Sequence, residues 1–225
     1  SVHLYTEADN DRIEIKTIAA DSKVDTGLGN DEIHLNNGQD RLVGIAANLD
    51  LTGNTGEDTL HAFDRNSISS TAGQLTDAYI SGLNMAAGSK VSYDTIENLN
   101  IHLGQGNNDF TIVNTPQHTT THIETNEWGT SDGGNDIIRV KGITGDTTVT
   151  TRDGDDTITV YDNERSLLGI RGTLTLDAAN NSSAVLEGVE HWQDGDGDRI
   201  EVDNSGATSS AGPNMVNFSG TPKRP

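Results

Sequence analysis

Cysteine is absent from the 225 residues, so no disulfide staples the fold and no thiolate serves as nucleophile or metal ligand. That absence alone does not assign a redox compartment. Aromatic residues make up only 4% of the chain and prolines number 4. Basic side chains are few as well: 14 against 35 acidic ones, a formal net charge of −21. Such a charge repels a phosphate backbone and argues against a nucleic-acid partner. No apolar run approaches the roughly 20 residues of a membrane-spanning helix. Capped helical spacing is scarce, and only Asp94–Leu99 suggests a helical turn. Catalytic signatures are missing too: the chain has no Gly-x-Ser-x-Gly elbow, no phosphate-binding loop and no dinucleotide fingerprint. The chain opens on Ser1 without a leader-like stretch, which reads as a processed product or a segment of something longer.

What the chain does have is an internal duplication. Residues 10–51 slide onto 135–176 without a gap, and 16 of the 42 positions are identical, among them Asp11/Asp136, Asp21/Asp146, Gly29/Gly154, Asp31/Asp156 and Ile33/Ile158. Within each copy the unit is a turn followed by a short alternating strand. A turn-closing Asp or Asn is followed by apolar residues two and four places on: Asp11 with Ile13 and Ile15, Asp31 with Ile33 and Leu35, Asn108 with Phe110 and Ile112, Asp136 with Ile138 and Val140, Asp156 with Ile158 and Val160, Asp198 with Ile200 and Val202. Period two is the signature of a strand with one buried face. With the looser member Asp58, the turn-closing residues follow one another at intervals of 20, 27, 50, 28, 20 and 42.

A unit of this length cannot bury its apolar edge alone; stacked units can, along a continuous column of Ile, Val and Leu. The expected fold is therefore all-β, a right-handed parallel β-helix or β-solenoid with Gly/Asp turns. The competing layout is a tandem of antiparallel β-sandwich domains, since the same turns also suit hairpins. In organisation, 1–113 form a first copy with an inserted coil or decorating hairpin at about 64–91, 114–134 a connecting loop and strand, 135–203 a second, shorter copy, and 204–225 a Ser/Gly/Pro-rich linker or tail.

The turns carry the chemistry. Gly27-Leu28-Gly29-Asn30-Asp31-Glu32-Ile33, Asp132-Gly133-Gly134-Asn135-Asp136 and Asp153-Gly154-Asp155-Asp156 resemble the glycine- and aspartate-rich nonapeptide of RTX calcium-binding proteins. The wider texture is similar to large secreted microbial surface and adhesin-type repeat proteins. The turns here are isolated, 20 or more residues apart, rather than in unbroken tandem. The resemblance implies an extracellular or cell-surface setting and Ca²⁺ as a possible ligand of the turns. Carboxylate and carbonyl oxygens are what Ca²⁺ takes, and glycine leaves carbonyls bare. Two carboxylates ~5 Å apart repel by ~3 kcal/mol at an effective dielectric of ~20, a cost that a cation reverses. The candidate metal residues are Asp9, Asp11, Gly27, Gly29, Asp31, Asp132, Gly134, Asp136, Asp153, Asp155 and Asp156. Asp194, Asp196 and Asp198 join them through an alternating-acid run that matches an EF-hand start only in part. The plainer alternative is that Gly, Asp and Asn simply form turns with solvated charges.

Asp155-Asp156 suggests paired catalytic carboxylates, yet it falls at the repeat's turn position, which explains it without catalysis. His118 and His122 read as loop histidines; His34, His61 and His102 read as outward strand residues with no ligand role. Trp128 and Trp192 suit a cap, a core or a sugar-stacking surface. The expected function is a non-enzymatic extracellular structural module (a rod, filament or adhesin segment) stiffened by Ca²⁺ and meeting like modules end to end. A polysaccharide-binding or carbohydrate-active β-helix is the alternative.

Overall fold

A computed structural model of the chain describes residues 1–125, 134–152, 154–178, 186–187, 199–203, 205 and 216–219. The strands begin with β1 His3–Tyr5, β2 Arg12–Ile15, β3 Ser22–Asp25, β4 Glu32–Leu35, β5 Leu49–Thr52 and β6 Thr59–Phe63. They continue with β7 Ala72–Leu75, β8 Tyr79–Gly82, β9 Lys90–Asp94, β10 Asn98–His102, β11 Asp109–Ile112, β12 Thr120–Glu124 and β13 Ile137–Val140. The last are β14 Thr147–Thr151, β15 Thr157–Val160, β16 Leu174–Ala178, β17 Leu186–Glu187, β18 Arg199–Val202 and β19 Val216–Ser219. Among the described residues the single helical element is the 3₁₀ turn Leu42–Gly44. The helical turn expected at Asp94–Leu99 is instead a bend between β9 and β10.

The strands form two sheets. The larger runs β1-β3-β5-β9-β8-β7-β11-β13-β15-β18-β17, the smaller β19-β16-β14-β12-β10-β6-β4-β2. Successive strands alternate between the sheets from β1 to β6 and again from β9 to β16. Among the described residues all strand pairings are parallel except β7 with β8 and β8 with β9. Antiparallel sandwiches would require the reverse, and each sheet here runs through both sequence copies. Residues 64–91 supply β7 and β8, which lie inside the larger sheet; two reversals of direction restore the parallel sense by β9.

Period two decides which side chains meet. In the smaller sheet Ile15, Leu35, Ala62, Ile101, Ile123, Val149 and Leu176 share one register position. In the larger, Phe110, Ile138, Ile158 and Ile200 share another. A single buried cluster takes side chains from both sheets. Ile33, Leu35, Leu49, Leu60, Phe110, Ile138 and Ile158 are fully buried within it. Truncating one of these aliphatic side chains to alanine costs about 2–5 kcal/mol.

The duplicated segments do not occupy equivalent sheets. Ile33 lies in β4 of the smaller sheet and its counterpart Ile158 in β15 of the larger. Local geometry recurs nonetheless. Ile18 bridges Ile45 as Ile143 bridges Ile170. Asn48 donates its backbone N–H to Asp21 and Thr173 does so to Asp146, both at 3.0 Å. Each copy alternates between the sheets, the first beginning in the smaller and the second in the larger, so the shared pattern fixes where the next strand lies relative to the last and not which sheet it starts in.

Candidate functional site

The turns stack as columns of backbone. Gly29 has φ +126°, and a Cβ there would lie 2.2 Å from the carbonyl oxygen of Asp9; Gly56 stands in the same relation to Gly29. In the second copy Gly154, also at φ +126°, lies over Gly134, and Gly134 over Gly106. Only a residue without a side chain lets one turn approach the next so closely. The turn carbonyls are used between neighbours: Leu28 N–H donates to Glu7 O at 2.7 Å and Thr55 N–H to Gly27 O at 3.3 Å.

Beside each column runs a ladder of carboxylates. Asp11 N–H donates to Asp31 Oδ1, Asp31 N–H to Asp58 Oδ1 and Asp58 N–H to Glu97 Oε2, each at 2.8 Å. On the other sheet Asn108 N–H donates to Asp136 Oδ1 and Asp136 N–H to Asp156 Oδ1, each at 2.7 Å. An outer row runs the opposite way: Asn30 N–H donates to Asn10, Glu57 N–H to Asn30, Asn135 N–H to Asn107 and Asp155 N–H to Asn135. The strand-opening amides therefore find acceptors in the neighbouring unit, which gives the acidic turn residues a structural role with no ion. Burial pushes the Asp58 carboxyl up to about 6, helped by the charges of Asp31, Glu97 and Glu57.

The ladder arrangement brings Asp11 to Asp31 beside one sheet and Asp136 to Asp156 beside the other. It places Asp9 and Asp155 on the exposed side and gives Gly27, Gly29 and Gly134 to the close turn contacts. Asp132, Asp153, Asp194, Asp196 and Asp198 lie outside the described residues, as do Trp128 and Trp192. The fit to Ca²⁺ is partial. Asp11 and Asp31 each keep a buried Oδ2 with no hydrogen-bond partner, and these are oxygens a cation would use. Asp58 Oδ2 is also without a partner, but it packs against Gly53, where a Cβ would approach it to 2.4 Å.

The outward face of the smaller sheet holds a second cluster. His34, His61, Asn100 and His122 share one register position, and Phe63, His102, Glu124 and Thr150 the next outward one. The His34 and His61 rings lie 4.7 Å apart, and Phe63 stacks on His61 at 5.4 Å and on His102 at 5.0 Å. The Arg65 guanidinium lies 4.4 Å above Phe63. Glu124 pairs with Arg152 and, at 3.2 Å, with His102; these contacts outweigh burial and hold its carboxyl well below the usual range. Burial lowers His61 to about 4, with the neighbouring His34 adding to the effect. His122, read from the sequence as a loop residue, is on β12 and contacts Thr150 at 3.2 Å.

Glu32, His34 and His61 offer ligand atoms that all lie within 4.8 Å of one another. Outward strand positions alone do not imply such a role for these histidines. The signal was nonetheless present: counting three residues on from Asp11, Asp31 and Asp58 reaches Glu14, His34 and His61. Comparison with family models, curated proteins and solved structures finds no match.

Proposed function

We propose that the chain is a non-enzymatic structural module, a right-handed β-solenoid segment of an extracellular or cell-surface rod. The observation that carries this reading is the in-register parallel stacking of short strands around one core, with strands alternating between two sheets. Parallel crossovers of this kind are right-handed in nearly all proteins. Stacked units bury a common column and transmit load along it. The end strand β1 supports end-to-end contact with a like module. It is the edge of the larger sheet, and Val2, Leu4 and Tyr5 around it are 66%, 39% and 62% exposed. An unpaired strand edge with apolar side chains is a template for another strand. Small-angle scattering tests the shape and self-association: a constant cross-section lengthening with concentration is expected, and Leu4→Lys should stop the lengthening. A compact scattering profile would overturn the rod.

Ca²⁺ stiffening belongs to the same reading and rests on the free oxygens of Asp11 and Asp31. Thermal melts with EDTA and with added Ca²⁺ should differ, and Asp31→Asn should shrink the difference. Identical melts would remove Ca²⁺ and leave the rod standing.

Carbohydrate binding is the second reading. An open groove of ≈ 430 Å³ carries hydrogen-bonding groups from Asn114, Lys141, Asp162, Asn163 and Arg171, the kind of lining that engages sugar hydroxyls. Glycan-array binding lost on Lys141→Ala would favour it.

A further inference from the structure

We infer that Glu32, His34 and His61 form a binding site for a divalent transition ion of zinc type, a staple between β4 and β6. Glu32 and His34 are two residues apart on β4, so both point outward, and His61 is the register partner of His34 on β6. Glu32 Oε1 lies 2.7 Å from His34 Nε2 and 3.5 Å from His61 Nε2. Ligands held about 2.0–2.1 Å from a tetrahedral zinc ion stand roughly 3.3 Å apart. The His61 contact already matches that spacing, and the His34 contact needs to open by about half an ångström. Two imidazoles with one carboxylate select zinc, nickel or copper over Ca²⁺, which prefers oxygen alone. This site is therefore distinct from the aspartate ladder.

The surroundings suit an ion that comes and goes. Glu14 is the register partner of His34 on β2, but its carboxylate pairs with Lys16 at 3.3 Å, so water completes the coordination. Arg12 is the competitor. It holds Glu32 Oε2 at 2.8 Å and donates to His34 Nδ1 at 3.4 Å. That donation makes Nδ1 an acceptor, so Nε2 carries the proton of the neutral ring; buried, it lies 2.7 Å from Glu32 Oε1 but makes no hydrogen bond. When an ion takes Nε2, the ring proton sits on Nδ1 and Arg12 must withdraw. Its side chain is 63% exposed and free to swing away.

The test is calorimetric titration of the whole chain with Zn²⁺ in excess Ca²⁺, which occupies exposed carboxylates, together with the visible spectrum of bound Co²⁺. One ion per chain and a tetrahedral Co²⁺ spectrum are expected. His61→Gln and Glu32→Gln should each weaken Zn²⁺ by at least ~10-fold, Arg12→Ala should tighten it, and His102→Gln, on the same face, should leave it unchanged. Glu32 is exposed enough that its variant keeps the fold, which circular dichroism verifies. Equal Zn²⁺ affinity in the parent and in the folded Glu32→Gln variant, or an octahedral Co²⁺ spectrum, would overturn the site. Because neither substitution touches the ladder, failure here leaves the rod and its Ca²⁺ test untouched.

Discussion

Asp11 and Asp31 are 20 residues apart in sequence, and the backbone N–H of the first donates to the carboxylate of the second at 2.8 Å. The same contact recurs between Asp136 and Asp156. The side chain thus reaches out of its own unit and caps the strand beside it.

Replacing Asp31 separates the acceptor from the charge. Asp31→Ala leaves the Asp11 amide without its partner, and a hydrogen bond to a charged group contributes about 1.5–3 kcal/mol. Asp31→Asn keeps an acceptor oxygen and removes a charge facing Asp58, so its loss should stay under about 1 kcal/mol. Urea denaturation of both variants measures this. Equal losses would mean the ladder does not hold the turns.

Stability should respond to pH through two opposed groups. The Asp58 carboxyl is raised to about 6 from 3.8 by burial, so its contribution is full below 3.8 and fades as pH climbs through 6. His61 is lowered to about 4 from 6.5 by burial, so its contribution is full above 6.5 and fades as pH falls toward 4. Asp58→Asn removes the first trend. The variant should gain on the parent between about pH 4 and pH 7, by at most roughly 3 kcal/mol. Denaturation midpoints across that range decide it, and a pH-independent difference would refute the assignment. Asp64, buried and also raised to about 6, remains in both proteins and cancels.

Gly29 and Gly154 should be equally intolerant of substitution although they serve different sheets. Alanine at either position meets a positive φ and a carbonyl 2.2 Å from its Cβ, which should cost at least about 2 kcal/mol. Gly38 has φ +82° with nothing within 4 Å, so Gly38→Ala pays only the backbone strain, about 1 kcal/mol. Melting curves of the three variants test the ordering, and a Gly154→Ala protein as stable as Gly38→Ala would count against stacked turns.

Much of this was legible in the sequence. Alternation at Ile13 and Ile15, Ile33 and Leu35, Phe110 and Ile112, and Ile158 and Val160 marked strands, because a half-buried strand repeats every two residues. The 20-residue interval placed Asp31 beside Asp11. Its hydrogen-bonding role stayed hidden, since spacing does not say which atom meets which. The meeting of His34 with His61 depends on register across 27 residues, through an irregular stretch that includes the turn Leu42–Gly44. A hairpin at about 64–91 was one of two readings, but its place inside the larger sheet was hidden for a related reason: alternation is the same for parallel and antiparallel neighbours.

The placement of Ile33 and Ile158 in different sheets bears on how such a chain grows. A 125-residue step carries the polypeptide from one sheet to the other, so a copied segment faces away from its parent. An array enlarged in this way would bring like features, such as the outward histidines, first to one flank and then to the other. Groups that recognise them would then meet alternate faces of the enlarged stack.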